Sequence, residues 1–133
     1  MIRLQPNTPA QTFYASPFGA RKFLAVFTNY LIEFKSQATS KTFRVVGDAT
    51  SDNERYSIFA IDTSVDAPTS GDIVLDESGL YTFTIWGQNS TTNLDPTDAV
   101  VVGECEKGVM QIIGEDAWTI PTINIPNNVV YYE

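Results

Sequence analysis

Histidine is absent from the 133 residues. Its absence removes the side chain that titrates near neutrality, and with it histidine triads, histidine-ligated zinc and histidine pH switches. Cysteine occurs once, at Cys105, which excludes an internal disulfide and a multi-cysteine metal site. Cations are scarce: eight Lys and Arg stand against sixteen Asp and Glu, for a formal charge of -8. A nucleic-acid binder needs a cationic stripe to displace counterions from phosphates, so no nucleic-acid partner is expected. Long apolar runs are also lacking. The longest, Phe23 to Phe34, is broken by Thr28, Asn29 and Glu33, too short and too polar to span a bilayer, and no membrane partner is expected. The first seven residues, Met1 to Asn7, hold no apolar core of a secretory signal, so synthesis in a cytosol without secretion is expected. Neither phosphate-cradling glycine pattern, G-x-G-x-x-G or G-x-x-x-x-G-K-S/T, occurs.

What is present is a folding chain. Hydrophobic residues make up 43% and aromatics 12%, which rules out disorder throughout. The length suits one domain able to bury roughly two thirds of its unfolded surface. Residues 1–20 carry Pro6, Pro9 and Pro17 and read as an extended arm with one short strand, Gln11–Ser16. Residues 23–35 alternate as one long strand, with Leu24, Val26, Tyr30, Ile32 and Phe34 on one face. Further strands are expected at Thr42–Val46, Arg55–Thr63, Ile73–Leu75 and Leu80–Trp86, with loops over Gly47–Asn53, Ser64–Asp72 and Gly87–Asp98. Ala99–Cys105 and Val109–Ile113 read as a hairpin turning through Glu106-Lys107-Gly108, with glycine at a positive φ. Short strands separated by turn signals imply an all-β fold, a sandwich or barrel.

The most specific local signal is Asp76-Glu77-Ser78-Gly79-Leu80-Tyr81-Thr82-Phe83. It resembles the start of strand F in immunoglobulin-like and related Greek-key sandwiches, where a tyrosine hydroxyl bonds back to backbone a few residues upstream. The resemblance implies Gly79 and Tyr81 as a structural corner. Phe83 stands where antibody domains carry a cysteine, so the variant here is disulfide-free. The expected organisation is an immunoglobulin-like or related Greek-key β-sandwich over 21–113, with extended N- and C-terminal arms at 1–20 and 114–133.

Residues able to do chemistry are few. Carboxylates gather at Asp48/Asp52/Glu54, at Asp62/Asp66/Asp72/Asp76/Glu77 and at Asp95/Asp98, but none has the spacing of a calcium loop, and a solvated acidic rim is the expectation. Asp95-Pro96-Thr97-Asp98 reads as a proline turn. Carboxylates flanking Cys105 raise a thiol pKa, which argues against a reactive thiolate. No carboxylate pair is placed in a cleft. The expectation is a protein that is not an enzyme and carries no cofactor and no metal. Trp86, at an expected strand end before Gly87, is the best candidate for an exposed sugar-stacking platform. Asn89-Ser90-Thr91 matches a glycosylation sequon and reads as a polar turn.

Apolar residues in the proline-marked arms need burial. Each large side chain left in water forgoes roughly 1.5–3 kcal/mol. Phe13, Phe18, Ile123, Ile125, Val130 and Tyr131 are therefore the candidate interface residues, with the arms adding to their own sheet or to a neighbour's.

The block Tyr30-Leu31-Ile32-Glu33-Phe34, the run Glu77 to Gln88, Asn93-Leu94-Asp95-Pro96 and the segment Val101 to Gly108 together resemble the small β-rich virion proteins of tailed bacteriophages. The resemblance spans about residues 24–113. It implies a non-enzymatic virion structural protein, an auxiliary or decoration protein bound to the major capsid protein and stabilising the head. Its implied partners are the major capsid protein or other virion proteins, with a homo-oligomer also open. Two alternatives stand beside it: a neck or tail component with the same fold, and a carbohydrate- or receptor-binding module using Trp86 and the Gly87–Asp98 loop.

Overall fold

The structure is a computed structural model that describes residues 2–113, except Lys22, Leu24, Glu54 and the side chain of Phe18. The expectations placed on the C-terminal arm at 114–133, with Ile123, Ile125, Val130 and Tyr131, lie outside the described residues.

Two β-sheets pack face to face, as an all-β sandwich. The larger sheet runs in the order β1 (Ile2–Leu4), β8 (Val101–Ile112), β7 (Gly79–Gln88), β3 (Asn29–Ser36), β4 (Thr42–Val46). The smaller runs β2 (Gln11–Ala15), β6 (Ser57–Ile61), β5 (Asp48–Asp52). All pairings are antiparallel except β1 with β8, which is parallel. One helical turn, α1 (Pro17–Ala20), begins on a proline whose missing N–H costs nothing there.

Alternation explains the core. Tyr30, Ile32 and Phe34 of β3 lie opposite Gly87, Ile85 and Phe83 of β7, and these face the smaller sheet. Rings lock the two layers together. Phe13 stacks on Phe59 at 5.2 Å and meets Phe34 edge-on at 6.4 Å, while Tyr30 meets Phe59 edge-on at 5.4 Å. Such pairs add to burial through the ring quadrupoles. The opposite face of β3 carries Glu33, whose carboxylate takes the Arg44 Nε at 2.9 Å across the strand pair.

Several elements differ from the sequence expectation. Within the expected N-terminal arm the strand read at Gln11–Ser16 is present as β2, but Ile2–Leu4 adds an unexpected strand, β1, to the other sheet. The long strand expected over 23–35 starts only at Asn29. Before it, the chain passes over the ends of β7 and β8, where Gly87 and Gly103 are ladder partners. A methyl group on Gly87 would sit 2.6 Å from Phe27 Cγ, and one on Gly103 would sit 2.9 Å from Phe23 Cδ1. The bare glycines are seats for two aromatic rings, and the rings supply the alternation that reads as strand. Val26, assigned to the apolar face, is exposed. Residues expected as a loop at 47–53 contain β5, an edge strand of polar residues held by β6. It slips register between Ala49 and Ser51. The expected strand Ile73–Leu75 is not one: Ile73 N–H donates to the Asp62 carbonyl and Leu75 N–H to the Thr63 carbonyl, with no ladder around them. The expected hairpin at Glu106-Lys107-Gly108 is likewise absent, and β8 runs through it unbroken for twelve residues. Gly108 is a close-packing glycine: a methyl there would lie 2.8 Å from Phe83 Cε1.

Candidate functional site: a groove between two open sheet edges

The site begins with the short β1. Its chain leaves the larger sheet at Gln5 and crosses to the smaller one through a polar clamp around Thr63, a fully buried residue. The Thr63 hydroxyl donates to the Gln5 carbonyl at 2.7 Å and accepts the Thr8 N–H at 2.9 Å. Gln11 Nε2 donates to the same Gln5 carbonyl at 2.9 Å. The clamp fixes where β1 ends and β2 begins.

Pairing then leaves two edges open. β1 meets only Met110, Gln111 and Ile112 of the twelve residues in β8. Before Met110, the outer edge of β8 has no strand partner among the described residues. β2 pairs with β6 on one side and with no strand on the other, again among the described residues. An unpaired edge presents a row of backbone donors and acceptors to any incoming strand.

Between these edges lies a groove of about 600 Å³. Phe13, Phe83 and Gly108 contribute from the core side, β2 from Thr12 to Ser16 forms one wall, and Lys107 and Val109 of β8 form the other. Ile2 and Arg3 lie at one end. At the other, the Ser16 N–H donates to Glu106 Oε1 at 2.8 Å. Tyr14 and Val109 are exposed at its margins, and Tyr14 lies 6.0 Å from Tyr56. The groove therefore offers an apolar floor, backbone along its sides and two exposed cations, Arg3 and Lys107. Chemically it suits an extended peptide strand.

Of the interface candidates, Phe13 is held in the core and reaches the groove from below. Phe18 belongs to α1, beside β8. Gly79 has φ +136°, a region open to glycine, and the Tyr81 hydroxyl donates to the Glu77 carbonyl at 2.9 Å, four residues upstream. Burial pushes the Tyr81 hydroxyl pKa up, with the Glu77 and Asp76 charges adding to it. Trp86 is half-buried within β7, two residues short of the strand end.

The acidic groups do local work. Asp62 accepts the Ser64 hydroxyl and N–H, and Asp95 accepts the Thr97 hydroxyl and N–H. Those bonds hold both carboxyls below their ordinary pKa. The Asp98 N–H bonds to the Asp95 carbonyl, closing the turn at Pro96. Among the described residues no three potential metal-ligating side chains converge. Between the sheets, Asp52 accepts the Tyr30 hydroxyl at 2.9 Å and the Ser57 hydroxyl at 2.5 Å. Burial, with help from the Asp52 carboxylate, raises the Tyr30 pKa far above normal. Cys105 is buried, and burial pushes its thiol up to about 11, so it stays protonated at neutral pH.

The groove was missed in the sequence because β1 pairing with β8 is a contact across the whole chain. Its local trace is the apolar-polar-apolar alternation of Ile2-Arg3-Leu4 before Pro6. No protein-family model, curated protein or solved structure matches the chain.

Proposed function

We propose that this protein is a non-enzymatic structural component of a tailed-phage virion, an auxiliary or decoration protein that binds the major capsid protein and stabilises the head. The observation that carries the assembly part of this reading is the groove with a strand edge on each side that is unpaired among the described residues. Edges of this kind recruit extended segments through main-chain hydrogen bonds, with side-chain pockets giving selectivity. The virion context comes from the sequence resemblance over residues 24–113. We read the sandwich as immunoglobulin-like: β8-β7-β3-β4 stands for the G-F-C-C′ order, β2-β6-β5 for B-E-D, and Tyr81 occupies the corner at the start of F. The net acidity keeps unassembled subunits soluble.

Quantitative mass spectrometry of purified particles tests the reading. Hundreds of copies per particle are expected for a head decoration protein. About a dozen would instead give a neck or tail component, as ring symmetry there requires. Absence from particles refutes the proposal.

A further inference from the structure

We propose that the groove receives, as an added β-strand, the C-terminal segment of a second copy of this chain, centred on Val129-Val130-Tyr131-Tyr132. This inference deepens the assembly reading and rests on the same open edges.

Four observations select that occupant. First, the slot is built for a strand: the edge of β8 before Met110 and the outer edge of β2 are unpaired among the described residues, over a floor that includes Phe13 and Phe83. Second, this chain carries a matching segment. Val129 to Tyr132 holds two β-branched residues and two aromatics, the types that favour strands, and no proline. Upstream, Pro121 and Pro126 lack the N–H a ladder needs and interrupt the stretch around Ile123 and Ile125. Third, length permits a neighbour and direction favours one. The Ile113 N–H donates to the Leu4 carbonyl, so β8 ends beside β1, beyond the residues Glu106 to Val109 that line the groove. Return to its own groove requires a reversal around β1, and passage to a neighbour does not. The twenty residues from 114 to 133 span at most roughly 66–72 Å, against a domain diameter of about 36 Å from the usual size scaling. Fourth, the groove offers two cations against one carboxylate, Glu106, which already accepts the Ser16 N–H. Glu133 follows the tyrosines, and Arg3 and Lys107 line the groove.

Such a contact is head-to-tail, so it closes into a ring or continues as a filament according to the rotation between copies. Sedimentation velocity on the full chain, from low micromolar to hundreds of micromolar, is the first test. Concentration-dependent association is expected, weakened about tenfold or more by Val130→Asp and by Val109→Lys, since one unfavourable charge at a strand interface costs on that scale. A monomer at every concentration overturns the proposal, and so does association that either variant leaves unchanged. A second measurement separates a neighbour from the chain itself. In a Cys105→Ser background, Val109→Cys and Tyr131→Cys chains are mixed and oxidised. A mixed disulfide dimer is expected. If the double variant instead closes an intrachain disulfide and stays monomeric, the segment returns to its own groove and the inference fails. A chain that is monomeric yet present in virions defeats this inference and leaves the proposed function standing. One that self-associates but is missing from virions does the reverse.

Discussion

Replacing Gly108 with alanine separates two roles for that glycine. In a hairpin turn the residue is needed for its backbone, and Asn would substitute better than Ala. In a continuous β8 it is needed for its missing side chain. A methyl at that position lies 2.8 Å from Phe83 Cε1 and 2.9 Å from Cζ. Carbon atoms prefer about 3.5–4.0 Å, so the overlap is roughly 0.7–1.2 Å against a ring itself wedged in the core. Overpacking of this kind costs roughly 1–3 kcal/mol, and relief of glycine's backbone entropy returns about 0.5–1 kcal/mol. The expected net loss is roughly 0–2.5 kcal/mol with a midpoint of about 1, which lowers the melting temperature by about 3–6 °C for a domain of this size. Phe83→Leu alone should cost roughly 1–2 kcal/mol through lost packing. The double variant should be more stable than the sum predicts by about 1 kcal/mol, because the smaller side chain makes room for the methyl. Urea unfolding followed by tryptophan fluorescence measures all four corners of the cycle. Strict additivity, or an Asn variant more stable than the Ala variant, would refute the packing role.

Three further predictions follow from buried polar groups. Tyr81→Phe removes the donor to the Glu77 carbonyl and should lower stability by roughly 1–2 kcal/mol, read from the urea midpoint at unchanged slope. Asp52→Ala strands the hydroxyls of Tyr30 and Ser57 and should cost roughly 2–4 kcal/mol, with Asp52→Asn losing less because one acceptor remains. Cys105 binds its proton more tightly folded than unfolded. Its stabilising contribution is therefore complete below about pH 9 and drains away as the pH climbs toward about 11, by at most roughly 2–3 kcal/mol. Cys105→Ser should flatten that decline between pH 9 and 11. The raised Tyr30 and Tyr81 hydroxyls act in the same direction at higher pH.

Strands with alternation and a partner close in sequence were legible. β4, β6 and β7 fall where Thr42–Val46, Arg55–Thr63 and Leu80–Trp86 read as strands, with small differences at their ends. What stayed hidden has physical causes. β5 reads as a loop because an edge strand exposed on alternate positions can be built from Asp, Ala, Thr and Ser; only its pairing with β6 makes it a strand. Phe23 and Phe27 carry the periodicity of a strand, yet their rings fill space over Gly87 and Gly103, a fact held in residues about sixty to eighty positions away. Gly108 shares its local signature with a turn glycine, and only the position of Phe83 distinguishes the two. The groove depends on how much of β8 is left over by β1, a quantity no local pattern encodes.

The kink in β5 has a consequence for how copies can meet. That border carries Asp48 and Asp52 and loses step midway, between Ala49 and Ser51. A foreign strand arriving there finds mismatched spacing and anionic repulsion, both known deterrents to edge-on sticking. The smaller sheet is thus shuttered on its β5 flank, while its β2 flank is unpaired among the described residues. Under the proposed strand exchange, contacts made through it would acquire a polarity, steering subunits away from indiscriminate sheet-on-sheet clumping toward one repeated, directional joint.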